Sequence, residues 1–216
     1  MTRVPGRPRS EKSREAILSA AFDLLVDRGY AGFTIEAVAS AALAGKTTIY
    51  RWWPTKAELA VDAFFETTNT DLRFPDTGSA EGDFRAQIER LAVLLAGKSG
   101  RALAEMLGGA RSDQALASAL GERWLTPRRA WGRARILRAK DAGELHDTVD
   151  PDAALGVLYG PLYAPLLFGG TVPEMNAVRA HLDIACRGVF RRHNPSGIEE
   201  PLTSLIALEA ECGEGD

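Results

Sequence analysis

At 216 residues, 45% hydrophobic and 25% charged, the chain is long enough to bury a sizeable core, as one large helical domain or as a small domain joined to a larger one. No apolar run approaches the roughly 18 residues of a membrane span and the first thirty residues lack a signal-peptide core, so neither a spanning segment nor export is expected and the cytoplasm is the expected compartment. The net charge of −3 is unevenly spread: residues 1–60 hold nine Lys and Arg against six acids, so a head of +3 precedes a body of −6, as in a polyanion-binding module joined to a unit with a different task.

Alanine, leucine, glutamate and arginine are abundant and no stretch alternates like a strand, so the expected fold class is all-α. After the arm "VPGRPR", Ser10 is the expected N-cap of a first helix whose Ile17, Ala20, Ala21, Leu24 and Leu25 share one face, and Gly29 is its expected C′ residue. Thr34 is placed to cap a second, short helix from Ile35 to about Ala41, with Ile35, Val38 and Ala39 pointing inward. A third runs from about Lys46 to Trp52 and stops at Pro54. The tetrapeptide "TKAE", Thr55 to Glu58, matches a capping box and opens a fourth helix carrying Leu59, Ala60, Ala63 and Phe64.

Helices two and three, each about two turns long and separated by Ala42 to Gly45, have the proportions of a helix-turn-helix. The stretch "GKTTIYRWWPTKAEL" crowds two lysines, an arginine, three threonines and three aromatic rings around one proline. In this geometry Lys46, Thr47, Thr48, Arg51 and Trp52 face a major groove, while Ile49 and Trp53 anchor the helix to its own domain. The threonines suit base edges, Lys46 and Lys56 lie in phosphate range, and the Tyr50 hydroxyl can reach a backbone oxygen. Arg7 and Arg9, flanking a proline before helix one, are placed to follow the adjacent minor groove or the backbone. The expected partner is a double-stranded DNA operator.

From Arg7 to about Phe64, the approach "ILSAAFDLLVDRGYAGFTIEAVA", the segment "TTIYRWWPTK" and the turn into helix four resemble, in order, the N-terminal domain of the TetR family of bacterial transcriptional regulators. The resemblance implies that Thr34 caps helix two near a phosphate, that Lys46, Thr47, Thr48 and Arg51 lie at the groove, and that Tyr50 and Lys56 hold the DNA backbone. In "AALAGK" this chain has Leu43 where the family usually has glycine. Either Leu43 takes a positive φ, at a cost on the order of 1 kcal/mol, or the turn is shaped differently and Gly45 supplies the freedom.

Asn69 to Asp83 reads as a linker. Phe84, Ile88, Leu91, Ala92 and Leu95 then mark a helix stripe, followed by a short helix from about Arg101 to Leu107. A long helical pattern from Asp113 to Ala142 is kinked or split by Pro127. Asp150 caps, and Pro151 starts, a helix that is apolar nearly all round and ends at Gly169–Gly170. The last helix, from about Glu174 to Arg192, has Val178, Leu182, Ala185, Cys186 and Val189 on one face, and one or two amphipathic turns around Leu202 to Leu208 follow. Expected units are therefore 1–64 for DNA binding and 65–216 for effector binding and dimerisation.

Two adjacent helices with more apolar surface than one monomer covers call for a partner subunit. The resemblance implies that residues 151–168 and 174–192 pair across a two-fold axis as a four-helix bundle, giving a homodimer. Gly156 and Gly160 share a face that either permits close helix approach or relieves a kink at Pro161. Trp124 and Trp131, seven apart, are expected on one face together with Met106, Leu103, Tyr159, Tyr163 and Phe168. They line either an ordinary core or an apolar cavity with Arg128 and His146 as polar handles; the resemblance favours a cavity for a small apolar or aromatic effector. Cys186 and Cys212 form no CxxC and have no histidine at ligand spacing, so free thiols, no metal and no cofactor are expected. The three histidines are isolated and no nucleophile has a recognisable base beside it, so no enzyme is expected. The expected function is a ligand-responsive repressor on a palindromic operator, with a helix-turn-helix protein controlled by a protein partner as the alternative.

Overall fold

A computed structural model describes residues 7–69 and 72–191, with side chains from Glu11 onward. The helices are α1 (Arg7–Gly32), α2 (Ile35–Ala41), α3 (Lys46–Trp52), α4 (Lys56–Asn69), α5 (Ala80–Ala96), α6 (Lys98–Gly109), α7 (Gln114–Ala119), α8 (Thr126–Asp141), α9 (Pro151–Leu167) and α10 (Met175–Val189). Among the described residues the extended pairing is one antiparallel bridge, Leu145 with Phe190, and no helix is long and apolar enough to cross a membrane. Cys212 and the turns expected around Leu202 to Leu208 lie outside the described residues, while the last helix ends at Val189, short of the expected Arg192, because Phe190 turns extended.

Local chemistry sets most of the boundaries. Helix α1 starts at Arg7, so Ser10 sits inside it and is not its cap; Pro8 falls in the first turn, where its missing N–H would have no helical partner in any case. At the other end Gly29 takes φ 65°, and a side chain there would collide with the Glu105 carboxylate of α6. The Glu105 carboxylate accepts instead from the Tyr30 backbone N–H at 3.1 Å, tying the end of α1 to the body. The Thr34 hydroxyl accepts from Ala37 N–H at 3.2 Å and caps α2. Thr55 accepts from Glu58 N–H at 3.1 Å at the start of α4, while Asp150 accepts from the N–H groups of Asp152 and Ala153 ahead of Pro151.

The turn between α2 and α3 resolves the alternative left open by its sequence. Leu43 takes φ 52° with its side chain 95% exposed, whereas Gly45 is in ordinary extended conformation with φ −74°. The strain therefore sits on the leucine.

Pro127 divides the long helical pattern. Residues Leu120–Leu125 form a π-helical turn between α7 and α8, with Pro127 in the first turn of α8. A wide turn shifts the phase of everything after it. Trp124 is 4% exposed and packs edge-on against Phe64 and Tyr163, but Trp131 is 41% exposed and lies against Phe65. The two indoles thus do not share one face, as an unbroken 3.6-residue period would require.

One continuous apolar core runs from Ile17 and Ile49 through Phe64, Phe84 and Leu103 to Val189. Helix α4 joins its two halves, packing on α1 on one side and on α7 and the π-helical turn on the other. The boundary expected between residues 64 and 65 falls within this helix.

Candidate nucleic-acid interface and effector cavity

Two short helices with buried anchors build the first surface. Ile49 is fully buried and Trp53 is 1% exposed, so α3 is pinned by one face and by its C-terminal end. The Trp53 indole N–H donates to the Asp62 carboxylate of α4 at 2.9 Å. With that face buried, Lys46, Thr47, Tyr50, Arg51 and Trp52 are exposed on the other and Thr48 is half-buried. Lys46 is paired with Glu36 of α2 at 2.7 Å, which raises the lysine pKa and lowers that of the carboxyl through the shared hydrogen bond.

Lys56 points elsewhere. Its ammonium donates to the carbonyls of Tyr30 and Phe33 at 3.4 and 3.5 Å and stands 4.3 Å from the centroid of the Tyr30 ring. It closes the end of α1, and a phosphate contact would require it to turn outward. The side chains of Arg7 and Arg9 lie outside the described residues.

The second site is a cavity of about 190 Å³ bounded by α5, α8, α9 and the segment at Leu72–Phe74. Of the residues expected at an effector site, Arg128, Trp131, Tyr159 and Tyr163 line it. Leu103 and Met106 are fully buried in the core between helices. Trp124 packs behind the wall, with the Arg128 guanidinium 5.5 Å from its ring centroid. His146 lies in the loop beside the bridge, its backbone N–H donating to the Val189 carbonyl at 3.3 Å, and Phe168 is 86% exposed beyond the end of α9. Their periodicity brings all five near the body but cannot choose which side of a wall each occupies.

Gly156 and Gly160 border the cavity, and nothing lies within 4 Å of where a Cβ would stand on either. Within the chain these glycines leave room and do not serve a close helix crossing. Such a crossing occurs at Gly132, where an added Cβ would stand 2.8 Å from Leu155.

Polar groups on the wall are few. The Tyr159 hydroxyl donates to Gln87 Oε1 at 2.7 Å, while Gln87 Nε2 donates to the Leu72 carbonyl at 3.3 Å. Burial raises the Tyr159 hydroxyl pKa and pushes that of Tyr163 up to about 12, so both stay protonated donors at neutral pH. Gln87 and Arg129 escaped the sequence reading. For Gln87 a signal existed, since an amide one turn after Phe84 interrupts an otherwise apolar stripe.

Arg123, in the π-helical turn, connects the two surfaces. It donates to Asp62 at 2.8 Å and also pairs with Glu58, so the body grips α4 close to the anchor of α3.

Comparison with known proteins agrees with this architecture. Residues 17–63 match the family described as "Bacterial regulatory proteins, tetR family", and residues 74–185 match "Tetracyclin repressor-like, C-terminal domain". The HTH-type transcriptional regulator YdeS of Bacillus subtilis (strain 168) is 35% identical over 184 residues, spanning 85% of this chain and 93% of that protein. The DNA-binding transcriptional repressor TetR of Mycobacteroides abscessus is 30% identical over 169 residues, 77% of this chain and 88% of that one. The solved structure of the TetR family transcription regulator SCO0332 superposes with a TM-score of 0.74 at 33% identity, covering 82% of this chain and 98% of the other. Regulators of this family bind DNA operators, act as dimers and are not enzymes. With both of its segments matched and relatives aligned over most of its length, the chain belongs to the TetR family of transcriptional regulators.

Proposed function

We propose that the protein is a ligand-responsive repressor that binds an inverted-repeat operator as a homodimer and releases it when a small apolar or aromatic molecule enters the cavity. Residues 1–64 serve as the DNA-binding unit and 65–216 as the effector and dimerisation unit. Thr47, Thr48, Arg51 and Trp52 read the groove, Lys46, Tyr50 and Thr34 face the phosphates, Arg7 and Arg9 follow the neighbouring backbone, and Lys56 joins them by turning outward. The repressor sense is supported by the relative from Mycobacteroides abscessus, which is named a repressor.

The observation that carries the effector reading is the placement of the cavity. The guanidinium of its wall residue Arg128 stands over the Trp124 ring, 5.5 Å from the centroid, Trp124 packs on Phe64 of α4, and Arg123 next to Trp124 grips Glu58 and Asp62 of the same helix. A ligand that displaces Arg128 therefore pushes on the helix that positions α3. Only a ligand that binds the DNA-incompetent arrangement more tightly shifts the equilibrium. Dimerisation through residues 151–192 is supported by exposed apolar side chains on the last two helices, Val157, Leu167 and Ile184 among them.

Footprinting on DNA upstream of its own and neighbouring genes tests the first half. The expected result is a protected inverted repeat whose half-sites lie about one helical turn, roughly 34–36 Å, apart or a multiple of it. Protection of a single unrepeated site contradicts the two-fold reading.

A further inference from the structure

The cavity wall carries two arginines, Arg128 and Arg129, and no carboxylate. A second, more open hollow of about 390 Å³ shares Leu72, Phe74 and Trp131 with it, adds Arg73 and Arg138, and again has no acid. Among the described residues the other partly buried arginines are paired: Arg14 with Glu66 at 2.9 Å, Arg85 with Asp183 at 2.8 Å, Arg123 with Asp62 at 2.8 Å and Arg135 with Asp83 at 2.7 Å. On the wall itself Arg129 meets Asp152 at 3.1 Å.

Arg128 is the exception. Its Nε and Nη2 are both shut off from solvent and have no hydrogen-bond partner. Burial lowers its pKa from the usual value, but a guanidinium does not surrender its proton at neutral pH, so a cation without a counter-ion is held beside Trp124, Tyr159 and Tyr163. Nε and Nη2 form one edge of the guanidinium plane, spaced for the two oxygens of a carboxylate.

We propose that the effector is a small aromatic acid, bound with its ring against Phe74, Trp131 and Leu155 and its single carboxylate paired with the Nε/Nη2 edge of Arg128. This rests on the reading of the cavity as the effector site and adds the class of its ligand. An apolar cavity of about 150 Å³ holds one benzene ring, so about 190 Å³ suits one ring with a short acid arm. One unpaired arginine calls for one negative charge, since a doubly charged phosphate would bring a second charge into a wall whose other arginine already has a partner. Pairing turns the guanidinium edge towards the cavity and away from the Trp124 ring, which is the displacement that reaches α4.

The test uses the full-length protein with benzoate, phenylacetate and cinnamate, each against its own primary amide, by calorimetry and Trp emission. Wild type is expected to bind the best acid at least about tenfold more tightly than its amide, the size of one charge-assisted hydrogen-bonded pair. Arg128→Met should lose that preference and, without ligand, melt no lower than wild type, because it removes an unpaired charge. Arg128→Lys should keep part of the preference. Acids that bind no better than amides, or not at all, overturn the assignment, and so does an Arg128→Met protein that melts lower and still prefers acids. Amides that release operator DNA as well as acids do leave the effector reading standing and overturn the acid class. An acid that binds through Arg128 without changing operator affinity supports the assignment and overturns the effector reading.

Discussion

Trp53 and Arg123 hydrogen-bond to the same oxygen, Oδ2 of Asp62, at 2.9 and 2.8 Å. Trp53 ends α3 and Arg123 belongs to the π-helical turn of the body, so one carboxylate on α4 is shared between α3 and the body. Arg123→Met removes the bridge and leaves Glu58 and Asp62, one turn apart on α4, half-buried with like charge. Thermal denaturation should show a loss of about 1–3 kcal/mol, and the change in operator affinity on ligand binding should shrink. An Arg123→Met protein as stable as wild type and fully responsive would show that the bridge transmits nothing.

On the DNA face, position and specificity should separate. Arg9→Ala is expected to weaken binding evenly across sequences and to reduce the salt slope by about 1, whereas Thr47→Ala and Arg51→Ala should cost about 1–3 kcal/mol at particular operator positions and relax preference there. Glu36→Gln frees Lys46 from its ion pair and should strengthen binding to all DNA while steepening its salt dependence. Competition titrations with operator variants at two salt concentrations read all four. Uniform losses for every variant would contradict this division.

Leu43→Gly tests the strained turn. A left-handed leucine costs about 1–2 kcal/mol, partly offset in the comparison by the greater freedom of glycine in the unfolded chain. Because the side chain is exposed and packs against nothing, the variant should melt at or above the wild-type temperature although it deletes a leucine. A clearly lower melting temperature would mean that this side chain makes a stabilising contact.

Ile184 is 75% exposed on α10. Ile184→Glu should yield monomers in sedimentation at micromolar concentration and lose operator affinity, because a buried charge without a partner opposes association. A monomeric wild-type protein under the same conditions would refute the dimer.

Elements governed by neighbours in sequence were legible in advance. The bounds of α2 and α3, the caps at Thr34, Thr55 and Asp150, the stripe of α5 and the burial of Ile49 and Trp53 all follow from residues within about two turns of each other. The long-range features were not. Whether Lys56 faces DNA or the end of α1 depends on carbonyls more than twenty residues away, and Trp124 and Trp131 part company because one π-helical turn precedes Pro127. The cavity was foreshadowed by Arg128, Trp131, Tyr159 and Tyr163, while Leu103 and Met106 have the same apolar character but lie on the core side of α6. Gln87 showed as a polar gap in a stripe, but its bond to Tyr159 joins residues 72 positions apart, which no local period encodes.

An aromatic acid bound in the cavity against Arg128 is expected to lower operator affinity. Gly160 borders the cavity with open space where a side chain would stand, so Gly160→Phe should fill it from within. Operator affinity measured by fluorescence anisotropy, with Trp emission followed in the same titration of an aromatic acid, tests this directly. Wild type should lose at least about tenfold in operator affinity, equivalent to about 1.4 kcal/mol of coupling, with the same midpoint in both signals, and Gly160→Phe should respond in neither. Emission that changes while operator affinity stays constant across the titration would contradict the account.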